Sequence, residues 1–246
     1  MMSSGVMWST ATKEGLIRHL PRLICVDTLG SSEALNVASS VSSADGASST
    51  AAFTVNPTTR VFTEEGREVR PGSGEVGMVG LGGRMPLGYY KDEEKSAQTF
   101  RVIDGRRWSI PGDFATVDTN GTLRLLGRGS QCINTGGEKV YPEEVEEAIK
   151  THASVLDAVC VGVPDERFGE AVVATVAPGP GAVIDEAAII AHVKGQMAAY
   201  KAPRRVVTVA SVGRAANGKV DYKRLRDLAM RELNAKVIAD RGLIAP

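Results

Sequence analysis

The sequence lacks the features of a secreted, membrane-spanning or strongly charged protein. Its 246 residues balance 29 Lys and Arg against 29 Asp and Glu, so no net charge draws the chain to nucleic acid or to an anionic membrane. The first ten residues, MMSSGVMWST, contain neither a basic segment nor a long apolar stretch, which argues against a signal peptide. No run approaches the ~20 apolar residues of a membrane span. We therefore expect no transmembrane segment and no nucleic-acid partner.

Cysteine and histidine are scarce. The three cysteines and three histidines lie far apart in the chain, with no CxxC or Cys/His ligand spacing, which disfavours both a disulfide framework and a zinc site. An odd number of scattered cysteines fits a reduced, cytoplasmic protein best.

The spacing of apolar residues predicts a mixture of helices and short strands. Residues 11–20 place Leu16, Ile17 and Leu20 on one helical face, and Leu23 to Val26 read as a buried strand. Short strand candidates separated by turn dipeptides such as Pro-Gly and Asn-Gly favour a small barrel or sheet. These candidates are Thr59–Phe62, Gly74–Leu81, Trp108–Ile110, Phe114–Asp118 and Thr122–Leu126. The Ser-rich, Ala-rich segment Val37–Ala52 is interpreted as a surface excursion, with disorder as the alternative.

From Pro142 onward, longer helices and strands alternate, which predicts a compact α+β unit of about 120 residues. Asp185 is placed to cap a helix that runs through Met197, and Asp221 to cap the last helix. The stretch Gly127–Glu147 combines a strand, a break and a helix with Pro142 at its first position, and it reads as a boundary between two folding units. An ordinary turn before a helix is the alternative.

Two polar turns could carry chemistry. The segment Leu29-Gly30-Ser31-Ser32-Glu33 follows a predicted strand; it is either a solvated loop or a loop that offers hydroxyls to a phosphate and a carboxylate to Mg²⁺. The segment Asn217-Gly218-Lys219 is by itself a hairpin-type turn with a solvated lysine.

Taken together, these motifs resemble those of the adenylate-forming enzymes, a superfamily of acyl-CoA synthetases, peptide-synthetase adenylation domains and luciferases. More narrowly, the chain is similar to actinobacterial FadD-type fatty-acyl-CoA ligases. Gly74-Glu75 and Gly88-Tyr89-Tyr90 resemble elements of the family's barrel-like subdomain. The resemblance runs through nearly the whole chain, with the motifs in the family's order.

The resemblance implies a nucleotide site in the first half of the chain. The turn around Gly5 would lie beside adenine, and Gly30, Ser31 and Ser32 would belong to the nucleotide site, with Ser32 contacting phosphate. Glu33 would be the Mg²⁺ carboxylate. Asp113, within Pro111-Gly112-Asp113, would bind the ribose hydroxyls, and Arg128 would contact ribose or phosphate with a planar fork of donors.

For the second half, the resemblance implies a hinge at Ser130, about which the small domain turns between two poses. Gly136, Gly137, Glu138 and Lys139 would line the path of the CoA pantetheine arm, whereas their local pattern alone would also fit a turn that ends a helix. Lys219 would be catalytic, offsetting charge on the α-phosphate during adenylation.

The implied fold class is mixed α+β. Residues 1–128 would be a truncated C-terminal remnant of the large AMP-binding domain, an α/β piece plus a small β-barrel-like subdomain at about residues 55–126. Residues 129–246 would be the compact, mobile α+β C-terminal domain. The family's Pro-Lys-Gly loop, which wraps the β and γ phosphates, does not occur here, and the run Ser39–Thr50 contains no lysine.

The implied activity is fatty-acyl-CoA ligation from ATP, a fatty or sterol side-chain carboxylate and CoA through acyl-AMP, with Mg²⁺, at impaired or partial efficiency. The alternative is a catalytically silent remnant that binds nucleotide or CoA. Either protein could form a homo-oligomer or pair with a full-length relative, because a truncated large domain would expose apolar surface.

Overall fold

A computed structural model describes residues 1–4, 8–46 and 51–242. The chain divides into two compact units, Met1–Ser130 (unit 1) and Gln131–Pro246 (unit 2). A short 3₁₀ turn, Gly129–Gln131, spans the division. Each unit has its own helices, sheet and apolar core, so the two are described separately. Both combine helices with sheet, as expected for a mixed α+β chain.

Unit 1 is built on a large, mostly antiparallel sheet. Its strands are β1 (Met2–Ser4), β2 (Cys25–Leu29), β3 (Ala38–Ser42), β4 (Ala52–Val55), β5 (Thr59–Phe62), β6 (Gly77–Gly82), β7 (Phe100–Ile103), β8 (Arg106–Ser109), β9 (Asp113–Val117) and β10 (Leu123–Arg128), and its helices are α1 (Thr10–His19) and α2 (Glu93–Thr99). The strand order is β1-β2-β3-β4-β10-β9-β6-β8-β7, with β5 paired to β6. Among the described strands the sheet stays open and does not close into a barrel.

The predicted first helix forms, and a buried ion pair holds it to the sheet. Ser9 caps α1 by accepting a hydrogen bond from the Thr12 amide, which satisfies one of the free donors of the first turn. Lys13 of α1 reaches Asp27 of β2 at 2.5 Å, and both side chains are almost wholly buried. Since β2 runs directly into the loop that contains Glu33, this pair fixes the strand from which the loop emerges.

The interpretation of Val37–Ala52 as a surface excursion is wrong for its first residues. Strand β3 pairs antiparallel with β2 along its whole length, from Leu29 opposite Ala38 to Cys25 opposite Ser42. Ala38, Ser40 and Ser42 are buried, whereas Val41 is exposed. Small serine and alanine side chains fit the buried face of this paired strand, although a composition rich in serine and alanine is typical of loops. Residues 47–50 lie outside the described part of the chain.

The core of unit 1 fills the space beneath the middle of the sheet. Apolar residues from several strands meet there, each less than 8% exposed: Phe53, Val61, Val79, Leu81, Ala115 and Leu123. A smaller cluster forms around Phe62, whose ring meets Trp108 edge to face at 4.8 Å. Burial of this kind stabilises the sheet by about 25 cal/mol per Å² of apolar surface, and it makes the ends of β9 and β10 a rigid platform.

Unit 2 is a sheet with helices on both faces. Its strands are β11 (Ile133–Thr135), β12 (Glu138–Val140), β13 (Val155–Asp165), β14 (Gly169–Pro178) and β15 (Arg205–Thr208), and its helices are α3 (Pro142–Lys150), α4 (Glu186–Lys194) and α5 (Tyr222–Gly242). The sheet order is β12-β11-β14-β13, and β15 pairs parallel with β14.

The strongly apolar sequence of β13 follows from burial on both faces. Ala158 and Cys160 pack into the cluster that contains α3 and α4 residues such as Ile149. Val159 and Val161 pack into the opposite cluster, with Leu225 of α5. β13 and β14 pair over their whole lengths, so this hairpin is the rigid centre of unit 2.

Both predicted helix caps in unit 2 are confirmed. Asp185 Oδ1 accepts hydrogen bonds from the Ala187 and Ala188 amides at 2.9 and 3.2 Å. Asp221 Oδ1 accepts from the Arg224 amide at 2.9 Å. The first of these helices ends at Lys194, three residues before the predicted end at Met197.

Candidate functional site

The Gly-Ser-Ser-Glu segment forms a tight loop at the end of β2. Ser31 Oγ accepts hydrogen bonds from the amides of Glu33 and Ala34 at 3.3 and 3.2 Å. A Cβ at Gly30 would lie 3.1 Å from the Ala34 carbonyl oxygen, so the close backbone approach favours glycine there. Ser31 therefore shapes the loop, whereas Ser32 is exposed and presents its hydroxyl to solvent.

Glu33 is held at both its side chain and its backbone. The Tyr89 hydroxyl donates a hydrogen bond to Glu33 Oε1 at 2.6 Å, and Ser109 Oγ donates to the Glu33 backbone carbonyl at 2.7 Å. The Tyr89 hydrogen bond is the main cause that lowers the pKa of Glu33, since a bond to the charged form favours ionisation. Glu33 is therefore a fixed, ionised carboxylate of the kind that Mg²⁺ prefers.

Asp113 and Arg128 face each other across two paired strands. Asp113 begins β9, Arg128 ends β10, and the two residues are register partners. Arg128 Nε lies 3.3 Å from Asp113 Oδ1. A register irregularity between Leu125 and Gly127 precedes Arg128, and such bulges re-aim the side chains that follow.

Glu33, Asp113 and Arg128 lie close enough for their charges to affect one another. Burial raises the pKa of Asp113, while the neighbouring Arg128 charge opposes that rise and the Glu33 charge adds to it. Arg128 also contributes to the lowered pKa of Glu33. Asp113 is only 9% exposed, whereas the Arg128 side chain is 55% exposed. Unit 1 thus brings together Glu33, Asp113 and Arg128, while Gly5 lies outside the described residues.

Sequence reasoning treated Tyr89 as part of a sheet motif and missed its contact with Glu33. The two residues are 56 positions apart, so no local pattern connects them. The Tyr89 ring is itself positioned by Phe100, with ring centroids 5.8 Å apart, and by Lys95, whose ammonium lies 4.3 Å from the ring centroid. The only sequence signal was the Gly-Tyr-Tyr element that contains it.

In unit 2, Gly136 and Gly137 form the hairpin turn between β11 and β12. Their φ angles are +61° and +87°, as a type I′ turn requires at both central positions, so the turn does not end a helix. The Gly136 amide donates to the Phe168 carbonyl at 2.8 Å, and the Arg204 guanidinium stacks 3.7 Å from the Phe168 ring centroid. The Glu138 and Lys139 side chains are exposed beside this turn.

Lys219 ends a tight turn that is closed by backbone hydrogen bonds. The Ala215 amide donates to the Lys219 carbonyl at 2.9 Å, and the Gly218 amide donates to the Ala215 carbonyl at 2.8 Å. Asn217 Oδ1 accepts from the Lys219 amide at 3.1 Å. Gly218 has a φ of +79°, which glycine adopts without strain. The exposed Lys219 side chain is therefore carried on a closed turn.

Among the residues that the structure describes, no helix is long and apolar enough to cross a membrane.

Comparison with known proteins relates this chain to the adenylate-forming enzymes. Residues 144–219 match the family model described as the AMP-binding enzyme C-terminal domain. Beyond these residues, the chain is similar to adenylate-forming enzymes over more than nine-tenths of its length.

Curated relatives include CoA ligases from actinobacteria. The chain is 45% identical, over 93% of its length, to the medium/long-chain-fatty-acid–CoA/3-oxocholest-4-en-26-oate–CoA ligase of Mycolicibacterium smegmatis, and it spans 42% of that relative. It is 44% identical, over 92% of its length, to the 3-oxocholest-4-en-26-oate–CoA ligase of Rhodococcus rhodochrous, spanning 41% of it. The chain thus spans less than half the length of these relatives.

Solved structures with a similar fold come from the same class. The amide bond synthetase McbA of Marinactinospora thermotolerans has a TM-score of 0.81 at 27% identity, with 92% of this chain and 46% of that chain covered. ATP-bound MatB of Rhodopseudomonas palustris has a TM-score of 0.75 at 30% identity, with 92% and 44% covered.

Proposed function

We propose that this chain contributes to acyl-CoA formation, in which ATP, a fatty or sterol side-chain carboxylate and CoA give acyl-CoA, AMP and pyrophosphate. In the first half-reaction a carboxylate oxygen attacks the α-phosphorus, and pyrophosphate leaves. In the second, the CoA sulfur attacks the acyl carbonyl, and the carbon–oxygen bond to AMP breaks. The similarity to fatty-acid and sterol CoA ligases supports the choice of acid.

The observation that carries this proposal is the Asp113–Arg128 pair at the start of β9 and the end of β10, with Glu33 close enough to interact electrostatically with both. A nucleotide needs an acceptor for its ribose hydroxyls and a cation for its phosphates. Asp113 can accept from both vicinal hydroxyls, as acidic residues do in dinucleotide folds. Arg128 offers guanidinium donors that suit phosphate, and its exposed side chain is accessible to a ligand.

The residues around Glu33 fit a magnesium ion. This ion is commonly bound by one or two carboxylates together with substrate phosphates, and Glu33 is a single ionised carboxylate beside the exposed hydroxyl of Ser32. When bound, Mg²⁺ would neutralise phosphate charge. Gly30 and Ser31 hold the loop in the shape that presents these groups.

In unit 2 we assign Lys219 to the first half-reaction and the turn at Gly136–Lys139 to the second. An exposed ammonium on a closed turn can stabilise negative charge that builds on the α-phosphate. Two glycines at a hairpin turn leave room for the narrow pantetheine arm of CoA. Ser130, the last residue of unit 1, is the proposed hinge for a rearrangement between the two half-reactions.

Two parallel assays test the proposal. The purified chain is incubated with ATP, Mg²⁺, a fatty acid and CoA, and separately with preformed acyl-AMP and CoA, and acyl-CoA is measured in both. Binding of Mg·ATP is measured by calorimetry. We expect product in both assays and a Kd for Mg·ATP that rises about tenfold or more in Arg128→Lys, because a guanidinium–phosphate contact is charge-assisted and forked.

The matched control is Arg124→Lys. Arg124 lies on the same strand and pairs with Asp118 at 2.8 Å on an exposed face, so its replacement should leave nucleotide affinity unchanged. Nucleotide binding without product in either assay would favour a silent binding protein. Absence of both binding and turnover would refute the proposed function for this chain.

A further inference from the structure

Arg214 connects the Lys219 turn to the rigid hairpin of unit 2. Its Nε and Nη2 donate to Asp157 Oδ2 and Oδ1 at 2.7 and 2.9 Å, and its Nη1 donates to the Gly218 carbonyl at 3.1 Å. A single guanidinium thus binds the Asp157 carboxylate through two donors and the Gly218 carbonyl of the turn through a third. Such forked pairs fix geometry more tightly than single contacts.

The carbonyl that Arg214 binds belongs to the peptide that joins Gly218 to Lys219. Because a peptide is planar, fixing this carbonyl also fixes the direction of the Lys219 amide and so of its Cα. The other end of the turn is closed by the hydrogen bond from the Ala215 amide to the Lys219 carbonyl. Lys219 is therefore held through both of its neighbouring peptides.

The Asp157 side chain is itself fixed in position by its strand and by a backbone hydrogen bond. It lies on β13, paired opposite Ala177 of β14, and its Oδ1 also accepts from the Ala158 amide at 2.8 Å, which fixes its rotamer. The Asp157 and Arg214 side chains are only 23% and 28% exposed, so water competes little for the pair. The two residues are 57 positions apart, and the contact exists only in the folded unit.

We propose that Arg214 and Asp157 are positioning residues for Lys219 in the adenylation half-reaction. This inference rests on the proposed function, because it takes Lys219 as the residue that meets the α-phosphate. Neither residue needs to touch substrate; they hold the turn so that the ammonium is presented in one direction. Pre-organised cations are more effective than mobile ones, since they need no reorganisation as charge develops.

The first test measures the turn itself, without any turnover. Amide hydrogen exchange is followed by NMR in wild type, Arg214→Gln and Arg214→Lys. The Ala215 and Gly218 amides should exchange about tenfold faster in Arg214→Gln, because a partly buried charge-assisted contact is lost. The exchange rates in Arg214→Lys should lie between those of wild type and Arg214→Gln, since a lysine ammonium cannot make the forked, two-donor pair with a carboxylate. Arg226→Gln removes a single 3.3 Å contact with Glu170 and should change neither amide.

The second test separates the two half-reactions. Arg214→Gln and Asp157→Asn should lower the rate of acyl-AMP formation about 10-fold to 100-fold, while the rate of acyl-CoA formation from preformed acyl-AMP stays within about twofold. The Lys219→Ala variant should show the same division. A residue that merely stabilises unit 2 would lower both rates together.

Three results are decisive. Unchanged exchange of the two turn amides in Arg214→Gln would overturn the inference, and so would an equal fall in both half-reactions. If the wild-type chain makes no acyl-AMP, the assignment of Lys219 to adenylation fails with the proposed function. In that case the amide exchange rates alone test whether Arg214 stabilises the turn.

Discussion

Glu146 should make the stability of unit 2 fall as pH rises. This carboxyl lies on α3, is 5% exposed, and accepts a hydrogen bond from the Cys160 amide at 2.9 Å. Burial raises its pKa from 4.5 to about 8. The neighbouring charges act in both directions: Glu143 adds to the rise, whereas Lys150 and Arg214 oppose it. Desolvation nevertheless dominates, because the folded unit removes this carboxyl from water.

The direction of the effect follows from linkage between protonation and folding. Below pH 4.5 the carboxyl is protonated in the folded and unfolded states alike, and the full stability is present. Between pH 4.5 and about 8 it ionises in the unfolded chain but stays neutral in the folded unit, so unfolding becomes progressively easier. Each pH unit contributes about 1.4 kcal/mol, which makes the total loss about 5 kcal/mol. Above about pH 8 the loss is complete.

The Glu146→Gln variant isolates this contribution. Its amide has nearly the same shape, can accept the Cys160 hydrogen bond, and stays neutral at every pH. At pH 4 the variant and wild type should therefore be equally stable, and at pH 9 the variant should be more stable by about 5 kcal/mol. Glu147→Gln, the next residue on the helix, removes one negative charge from a pair with Lys150 and serves as the control.

Urea unfolding provides the measurement. Both tryptophans, Trp8 and Trp108, lie in unit 1, so tryptophan fluorescence follows that unit alone. Far-UV circular dichroism follows both units, and its additional transition reports unit 2. If the stability difference between Glu146→Gln and wild type is the same at pH 4 and pH 9, the reasoning is refuted. A pH dependence of equal size in the Glu147→Gln control would point instead to the general charge of the helix.

Two further predictions concern unit 1. Asp27→Asn should lower its free energy of unfolding by about 3–5 kcal/mol, because the buried ammonium of Lys13 loses its counter-charge; tryptophan fluorescence in urea measures this. The double variant Lys13→Met with Asp27→Leu should recover most of the loss, and failure to recover would mean that the pair is required for packing. Tyr89→Phe should raise the pKa of Glu33 in an NMR titration, since the hydroxyl that stabilises the carboxylate is gone. Tyr90→Phe, at an 87% exposed neighbour, should not, and equal pKa values in the two variants would contradict the role of Tyr89.

Features that depend on neighbouring residues could be predicted from the sequence. Asp185 and Asp221 cap helices because a short acceptor side chain meets amides two or three residues later. Strand β5 begins and ends at the predicted residues, Thr59 and Phe62. The Gly136-Gly137 dipeptide forms a turn because only glycine adopts two successive positive φ angles readily. The roles assigned to the candidate site residues remain predictions.

Only the tertiary structure decided which distant groups meet. Strand β3 reads as a loop by composition, yet it pairs with β2 because the neighbouring strand offers hydrogen-bonding partners along its whole length. Tyr89 reaches Glu33, and Arg214 reaches the turn before Lys219, across contacts that no spacing rule encodes. The raised pKa of Glu146 has the same origin. Helix caps and turns form between residues that are near neighbours in sequence, whereas burial, strand pairing and long-range ion pairs exist only in the folded unit.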